Sequence, residues 1–317
     1  MITTNLESAK QSLINEDIIG LPTETVYGLA GNANSESALK KIFALKKRPY
    51  YNPLIVHIKS ASLLNTIARD IPDVALRLAD EFWPGPLTLI LKKQPHVSDL
   101  ITAGKETVAI RVPNHPIALA LLEKLDFPLA APSANPFGCI SPTSATHVSN
   151  YFEGELDLIL EGGECERGVE STIIGFEDNQ PVLFRHGSIS IEEIEKIVGK
   201  LIITVNNDSK PNSPGMLSRH YAPMTTTYLT NNVSELLKSF QGKKIGLLLF
   251  KERILNDQVT VQEVLSENGD LKEAAKKLYA ALHRLDKSNL DVIIAEKFPN
   301  EGLGKTLNDR LERAVKK

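Results

Sequence analysis

The stretch from Gly20 to Ile58 restricts the fold more than any other part of the chain. An apolar run, Ile18 to Leu21, is stopped by Pro22. Thr23, Glu24, Thr25 and Tyr27 then place hydroxyls and a carboxylate beside glycines, where backbone can approach a ligand closely. Ser35 is a good N-cap for a helix whose Leu39, Ile42, Phe43 and Leu45 recur at helical spacing. Pro49 disfavours helical geometry at Arg48, so the helix ends there and gathers Lys46, Lys47 and Arg48 at its last turn. Leu54 to Ile58 resumes as a strand containing His57. The expected order is strand, polar turn, helix, basic turn, strand. The cations have two readings: they complement the helix dipole, or they bind a polyanion such as a triphosphate.

Charge favours a local anion site. The 317 residues carry 36 Lys and Arg against 39 Asp and Glu, a net charge of −3, which argues against a protein living wholly on nucleic-acid electrostatics. Residues 1–200 hold 18 cations and 25 anions (−7), and the remainder 18 and 14 (+4). The first-half cations cluster between Lys40 and Arg48. A phosphate site set into an acidic body suits a small anionic ligand better than a long duplex. No run of eighteen apolar residues exists, and the N-terminus lacks the regions of a signal peptide. Cys139 and Cys165 have no metal spacing, so no metal site is expected and a reduced, cytoplasmic setting without membrane contact fits.

Further elements follow from periodicity and breakers. Helices are expected over 6–16, 60–69, 73–82, 116–124 and 191–198. Strands are expected over 87–91, 107–112, 128–131, 156–160, 171–175 and 182–185. Strands and helices mix without strict alternation, which favours a mixed twisted sheet over a doubly wound parallel one. Residues 203–225, rich in Pro, Asn and Ser, read as a linker. Beyond it, helices 233–240, 271–285 and 306–315 alternate with strands 244–250 and 291–296, a small three-layer α/β domain. The domains are then 1–202, the linker 203–225, and 226–317.

Three constellations could carry chemistry. Along the 107–112 strand, Thr107, Ala109 and Arg111 share a face, with Thr107 and Arg111 about 13 Å apart. An arginine among apolar neighbours needs an anionic partner, either a ligand or a structural carboxylate. His57 shares a face with Ile55, where a satisfied core histidine is the default. Ser133 and Asn135 lie just past a strand end, between Pro132 and Pro136, which is a common ligand position and also a common turn. Gly302-Leu-Gly304-Lys305-Thr306 imitates a phosphate loop, but Pro299 stands where that loop needs a glycine.

Taken in order, these pieces resemble the Sua5/YrdC/YciO family, in its long Sua5 form. The matching motifs are Pro-Thr-Glu-Thr-Val-Tyr-Gly-Leu at 22–29, Lys46-x-Arg48 with Asn52-Pro-Leu-Ile-Val-His57, and Thr107 to Pro113. Ser133-Ala-Asn135, Ser141-Pro-Thr143, Gly168-Val-Glu-Ser-Thr172, Ser213-Pro-Gly and His220-Tyr-Ala-Pro223 complete the set. The resemblance implies a YrdC-like twisted mixed sheet with helices, plus the smaller α/β C-terminal domain. It implies synthesis of L-threonylcarbamoyl-AMP from L-threonine, bicarbonate and ATP with release of pyrophosphate. Mg²⁺ would accompany ATP, and a separate transferase complex would take the product to tRNA for t6A modification, with tRNA at most a weak partner here.

The same resemblance assigns Thr25, His57, Arg111 and Ser171 to threonine or its carbamate. It assigns Lys46, Arg48, Asn52, Thr107, Ser133, Asn135, Ser141 and Arg185 to ATP, with Lys46, Arg48, Ser133 and Asn135 nearest the chemistry. His220 and Tyr221 would close over the nucleotide. Two departures stand out: Pro136-Phe137 follows Ser-x-Asn, and Arg185-His186-Gly187 replaces the frequent Arg-Pro-Gly. The alternative is an RNA-binding or ribosome-associated relative that uses the same basic hollow without adenylation.

Overall fold

The computed structural model describes residues 1–203 and 221–315. Twelve strands build one mixed, twisted sheet and four build a second, smaller one. The large sheet runs in the order Ile2–Thr3, Ile159–Leu160, Ile19–Leu21, Gly28–Asn32, Leu129–Ala130, Ile55–His57, Thr107–Arg111, Leu87–Lys93, Thr172–Glu177, Gln180–Arg185, Ile202–Ile203, with Ala68–Arg69 pairing off Leu87–Lys93. At its centre Ile55–His57 runs parallel to Thr107–Arg111, with Ile55 opposite Ala109 and His57 opposite Arg111. Thr107–Arg111 is antiparallel to Leu87–Lys93, which is parallel to Thr172–Glu177. Asp178 and Asn179, both at positive φ, join the last hairpin, as a two-residue turn of matching twist requires.

The 20–58 stretch departs from its expected order in one place. Gly28–Asn32 is a strand, antiparallel to Ile19–Leu21, so the polar segment between them is a hairpin connection. Gly-Leu-Ala-Gly-Asn has no β-branched residue, and its strand exists because its neighbours pack closely on it. A Cβ on Gly31 would lie 3.2–3.3 Å from Ile18, Ile42 and Ala38, so glycine lets helix Glu36–Lys46 sit tightly on the sheet. That helix begins and ends as the residues dictate. Ser35 Oγ accepts from the Ala38 amide, and Lys47 turns the chain out in the left-handed conformation just before Pro49.

Elsewhere the expected 60–69 helix is a 3₁₀ turn, Ala61–Leu63, a short helix, Leu64–Ile67, and a two-residue strand. Helix Ala145–Tyr151 and strands Ile2–Thr3, Thr227–Thr230 and Val259–Val264 were not expected. The small sheet, in the order Thr227–Thr230, Val292–Glu296, Ile245–Leu249, Val259–Val264, is all parallel. Helices Leu271–Asp286 and Leu303–Val315 cover one of its faces and Val233–Leu237 the other, giving three layers.

The large sheet is likewise covered on both sides. One core joins Leu39, Ile42 and Phe43 to Leu54, Val56, Leu89 and Ile110, and the other joins Ala9, Leu13, Ala118 and Leu121 to Ile19, Leu21, Ala30 and Leu129. A small cluster of Ile55, Ile90, Ala109 and Ile173 lies apart from both. Two of its members share strand faces with His57 and Arg111, so the sheet bears a polar site on that face.

Candidate active site

A cleft with about 570 Å³ of empty space, its mouth included, opens over that face. Thr23, Thr25, Arg48, His57, Arg111, Ser133, Glu170, Ser171, Arg185 and Tyr221 supply its polar lining. Eight of the residues expected from sequence are therefore brought together: Thr25, Arg48, His57, Arg111, Ser133, Ser171, Arg185 and Tyr221. Arg48 comes from the turn after the helix, and His57 and Arg111 from neighbouring parallel strands. Ser171 and Arg185 flank the last hairpin, and Tyr221 comes from the segment that precedes strand Thr227–Thr230.

Each guanidinium is fixed before any ligand arrives. Arg48 Nε and Nη2 donate to the Asn52 and Pro53 carbonyls at 3.2 and 2.8 Å. Arg111 Nε donates to Gly85 O at 3.2 Å and Nη1 to Thr25 Oγ1 at 2.9 Å, while Nη2 lies 2.6 Å from Glu24 Oε1. Arg185 donates to Ser171 O from Nε at 3.2 Å and from Nη2 at 2.9 Å, and Nη2 also reaches Ser171 Oγ at 3.0 Å. Thr88 Oγ1 stands 2.7 Å behind that serine hydroxyl. Pre-set donors of this kind need no reorganisation when an anion enters.

Burial sets the electrostatics. It pulls the Arg48 guanidinium down to about 9, with Tyr221 opposing and Arg185 adding to the shift. It pulls His57 down to about 3, helped by the Arg111 charge, so the imidazole is neutral near pH 7. Burial pushes the Glu170 carboxyl up, but Arg310, Arg185 and the Ser141 hydroxyl together leave it below the usual range. Among the lining residues Arg48, Arg111 and Arg185 thus face one carboxylate, Glu170. The excess of two cations over carboxylates makes this an anion site.

Other expected residues lie behind the lining. Lys46 Nζ donates to the Ser133 and Asn135 carbonyls, at 2.5 Å each, so its ammonium holds the loop that presents Ser133 and does not line the cleft. Asn135 Nδ2 donates to the Pro136 and Cys139 carbonyls at 2.9 Å, bracing the same loop. Ser141 Oγ donates to Glu170 Oε1 at 2.6 Å. Asn52 is buried, with no hydrogen bond to its amide among the described residues. Thr107 sits at the far end of its strand from Arg111, beside a separate hollow that includes Asp70 and Asp178. His220 falls outside the described residues.

Sequence reasoning noted Thr23 and Glu24 as polar groups of the turn without giving them a role, and passed over Glu170, although it lies inside a quoted motif. It also passed over Tyr279 and Arg310, whose side chains reach Glu170 from the second sheet's helices at 2.9 and 2.8 Å. The phosphate-loop imitation has another use. Thr306 Oγ1 donates to Gly187 O at 2.8 Å and Lys305 pairs with Glu192 at 2.6 Å, so both dock the second unit on the first.

A family model for Sua5, YciO and YrdC proteins, described as "Telomere recombination", matches residues 11–187. The chain belongs to the Sua5/YrdC/YciO family. A second model, described as the threonylcarbamoyl-AMP synthase C-terminal domain, matches residues 189–315, which places this family member among the long forms. It is 42% identical over 311 residues to a threonylcarbamoyl-AMP synthase of Pyrococcus abyssi, covering 94% of this chain and 90% of the other. It is 40% identical to one of Bacillus subtilis, covering 98% and 92%. A crystal structure of P. abyssi Sua5 complexed with L-threonine superposes with a TM-score of 0.91 at 40% identity, over 98% of this chain and 94% of that one. Escherichia coli YciO, at 27% identity, matches 59% of this chain with a TM-score of 0.52.

Proposed function

We propose that this family member condenses L-threonine, bicarbonate and ATP into L-threonylcarbamoyl-AMP with release of pyrophosphate. The observation that carries the reading is the convergence of three buried, pre-bonded guanidinia, Arg48, Arg111 and Arg185, on one cleft with the hydroxyls of Thr25, Ser133 and Ser171. A threonine carbamate and a triphosphate repel one another. Joining them needs a cationic seat that offsets the repulsion and aligns the carbamate oxygen with the α-phosphate.

In this proposal Thr25, His57, Arg111 and Ser171 receive threonine and its carbamate. Arg48, Ser133, Arg185 and Tyr221 receive ATP, while Lys46, Asn52, Asn135 and Ser141 shape that half from behind. Neutral His57 can offer or accept a hydrogen bond beside Arg111 without adding charge. Residues 1–202 form the catalytic unit, 203–225 the connection and 226–317 the docked α/β unit.

Among the described residues no group of three acidic, histidine or cysteine side chains is placed to hold a metal, and Glu24 and Glu170 are both paired with arginines. The described residues therefore offer Mg²⁺ no cage of their own, and the ion would enter as the counter-ion of ATP. The product would pass to a separate complex that modifies tRNA. The cleft arginines are only 4–6% exposed, which favours a small ligand over an RNA duplex tracked along a surface. No described helix is long and apolar enough to cross a membrane.

Purified protein given all three substrates is expected to release pyrophosphate and form the adenylate, read by mass spectrometry. Equal ATP turnover without threonine would overturn the reading.

A further inference from the structure

Glu170 lines the cleft, yet two of its partners belong to the second unit. Its Oε2 accepts from Tyr279 OH, 109 residues away, and from Arg310 Nε, 140 residues away. Arg310 is 1% exposed and does not itself line the cleft. Its Nη2 donates to His186 O at 2.6 Å and its Nη1 pairs with Asp309. The guanidinium also lies 4.8 Å from the centroid of the Tyr221 ring, and Tyr279 stacks with the same ring at 5.8 Å. Tyr221 stands at φ +63, a conformation a bulky side chain adopts only when its surroundings enforce it. Arg310 and Tyr279 supply that enforcement.

Two arginines act on the one carboxylate. Arg310 bonds it directly, and Arg185, a cleft residue, lies within its field while donating to Ser171. A buried carboxylate stripped of its cation turns to the next one available, because an unpaired buried charge is strongly unfavourable. For Glu170 that next cation is Arg185.

We propose that Arg310 is a positioning residue of the nucleotide half-site: it occupies Glu170 and pins Tyr221, which keeps Arg185 turned to the cleft for ATP. The C-terminal unit then completes the active site. The inference rests on the adenylation reading for its kinetic consequences alone, since the side-chain rearrangement it requires is visible without substrate.

The test uses the full-length chain with Arg310→Met. Its ligand-free crystal structure is expected to show the Glu170 carboxylate moved into ion-pair contact with Arg185. The KM for ATP is expected to rise about tenfold or more, while the KM for threonine moves less than about threefold. Adding Glu170→Gln removes the competing charge and is expected to recover at least half of the lost ATP affinity, whereas a general packing defect would deepen. Arg310→Lys keeps the charge and is expected to show a smaller rise in the same direction; it serves as the test if the Met variant does not fold. An unmoved Glu170, equal rises in both KM values, or no recovery in the double variant would overturn the proposal. A wild-type chain that makes no adenylate would overturn the functional reading instead, leaving the ligand-free structure to judge Arg310.

Discussion

Arg111 and Glu24 form an ion pair of 2.6 Å inside the protein, the two side chains 4% and 3% exposed. The arginine lines the cleft and the glutamate does not. The two readings open for Arg111 in the sequence, ligand clamp and structural ion pair, are therefore compatible. Nε and Nη1 each give one N–H, to Gly85 and Thr25, while Nη2 faces Glu24 as an ion pair; a guanidinium has five donors, so the second N–H of Nη1 is left for an incoming carboxylate. Glu24 offsets the cost of burying that cation.

Removing one partner is expected to act differently from removing both. Arg111→Met leaves Glu24 buried and unpaired, an expected loss of about 3–5 kcal/mol of stability. Arg111→Met with Glu24→Leu replaces the pair by apolar groups and is expected to return to within about 1–2 kcal/mol of wild type. Both variants should raise the threonine KM about 10- to 100-fold, the worth of a charged hydrogen bond or two. Chemical denaturation beside threonine-dependent pyrophosphate release separates the two effects. A double variant as unstable as the single one would refute the account.

Lys46 gives a second contrast. Its ammonium is wholly buried on two carbonyls of the Ser133 loop, and burial, with the Arg48 charge, drives its pKa far down. Lys46→Met leaves both carbonyls without this donor. It is expected to cost about 2–4 kcal/mol, at about 1–2 kcal/mol for each abandoned acceptor. Arg48→Ala, which removes a group facing the cleft, should instead damage ATP use more than stability. If Lys46→Met keeps wild-type stability and loses only ATP affinity, the ammonium reaches the ligand after all.

The difference between these neighbours marks where sequence reading stops. The Ser35 cap, the Pro49 stop and the strands bearing His57 and Arg111 were legible because each depends on residues within a turn of one another. Lys46 and Arg48 are two positions apart and were read alike. Their roles diverge because Lys47 takes the left-handed conformation, which turns Lys46 inward and Arg48 to the cleft. Period-2 alternation puts Thr107 on the face of Arg111, but it carries no information on which hollow each end of the strand borders. The Glu170 bonds to Tyr279 and Arg310 join segments more than a hundred residues apart, and no local pattern encodes them.

Mild acid is expected to destabilise the protein before its carboxylates titrate. Burial lowers His57 and His147 to about 3 and His283 to about 4, and also lowers His115 and His186. His57, His147 and His283 are neutral in the folded protein, while in the unfolded chain they bind protons below about 6.5. The unfolded state therefore holds more protons, and stability is full above that pH and falls as pH drops toward 4. The deeply buried His57 contributes up to about 1.4 kcal/mol per pH unit. Glu170 and Asp309, lowered from ordinary carboxylate values, add their loss only at lower pH. His283→Phe retains a ring to stack on His147, 4.0 Å away, and should flatten the slope of unfolding free energy between pH 7 and 5. An unchanged slope would show that this histidine titrates normally.

Two glycines with nearly the same φ are expected to tolerate alanine very differently. Gly154 and Gly168 stand at φ +76 and +71. A Cβ at Gly154 meets nothing within 4 Å, so Gly154→Ala carries only the left-handed cost of about 1–2 kcal/mol. A Cβ at Gly168 would lie 2.3 Å from Lys276 O and 2.5 Å from Lys276 Cα, both backbone atoms of helix Leu271–Asp286. Neither can swing away as a side-chain tip could, so the helix itself must lift. That helix carries Tyr279 to Glu170 and His283 to Ser141 O, so the lift pulls at the cleft wall from behind. Gly168→Ala should therefore accelerate amide exchange along Leu271–Asp286 and raise the KM for ATP, while Gly154→Ala changes neither. Matching exchange profiles for the two variants would show that the docked helix does not bear on the cleft.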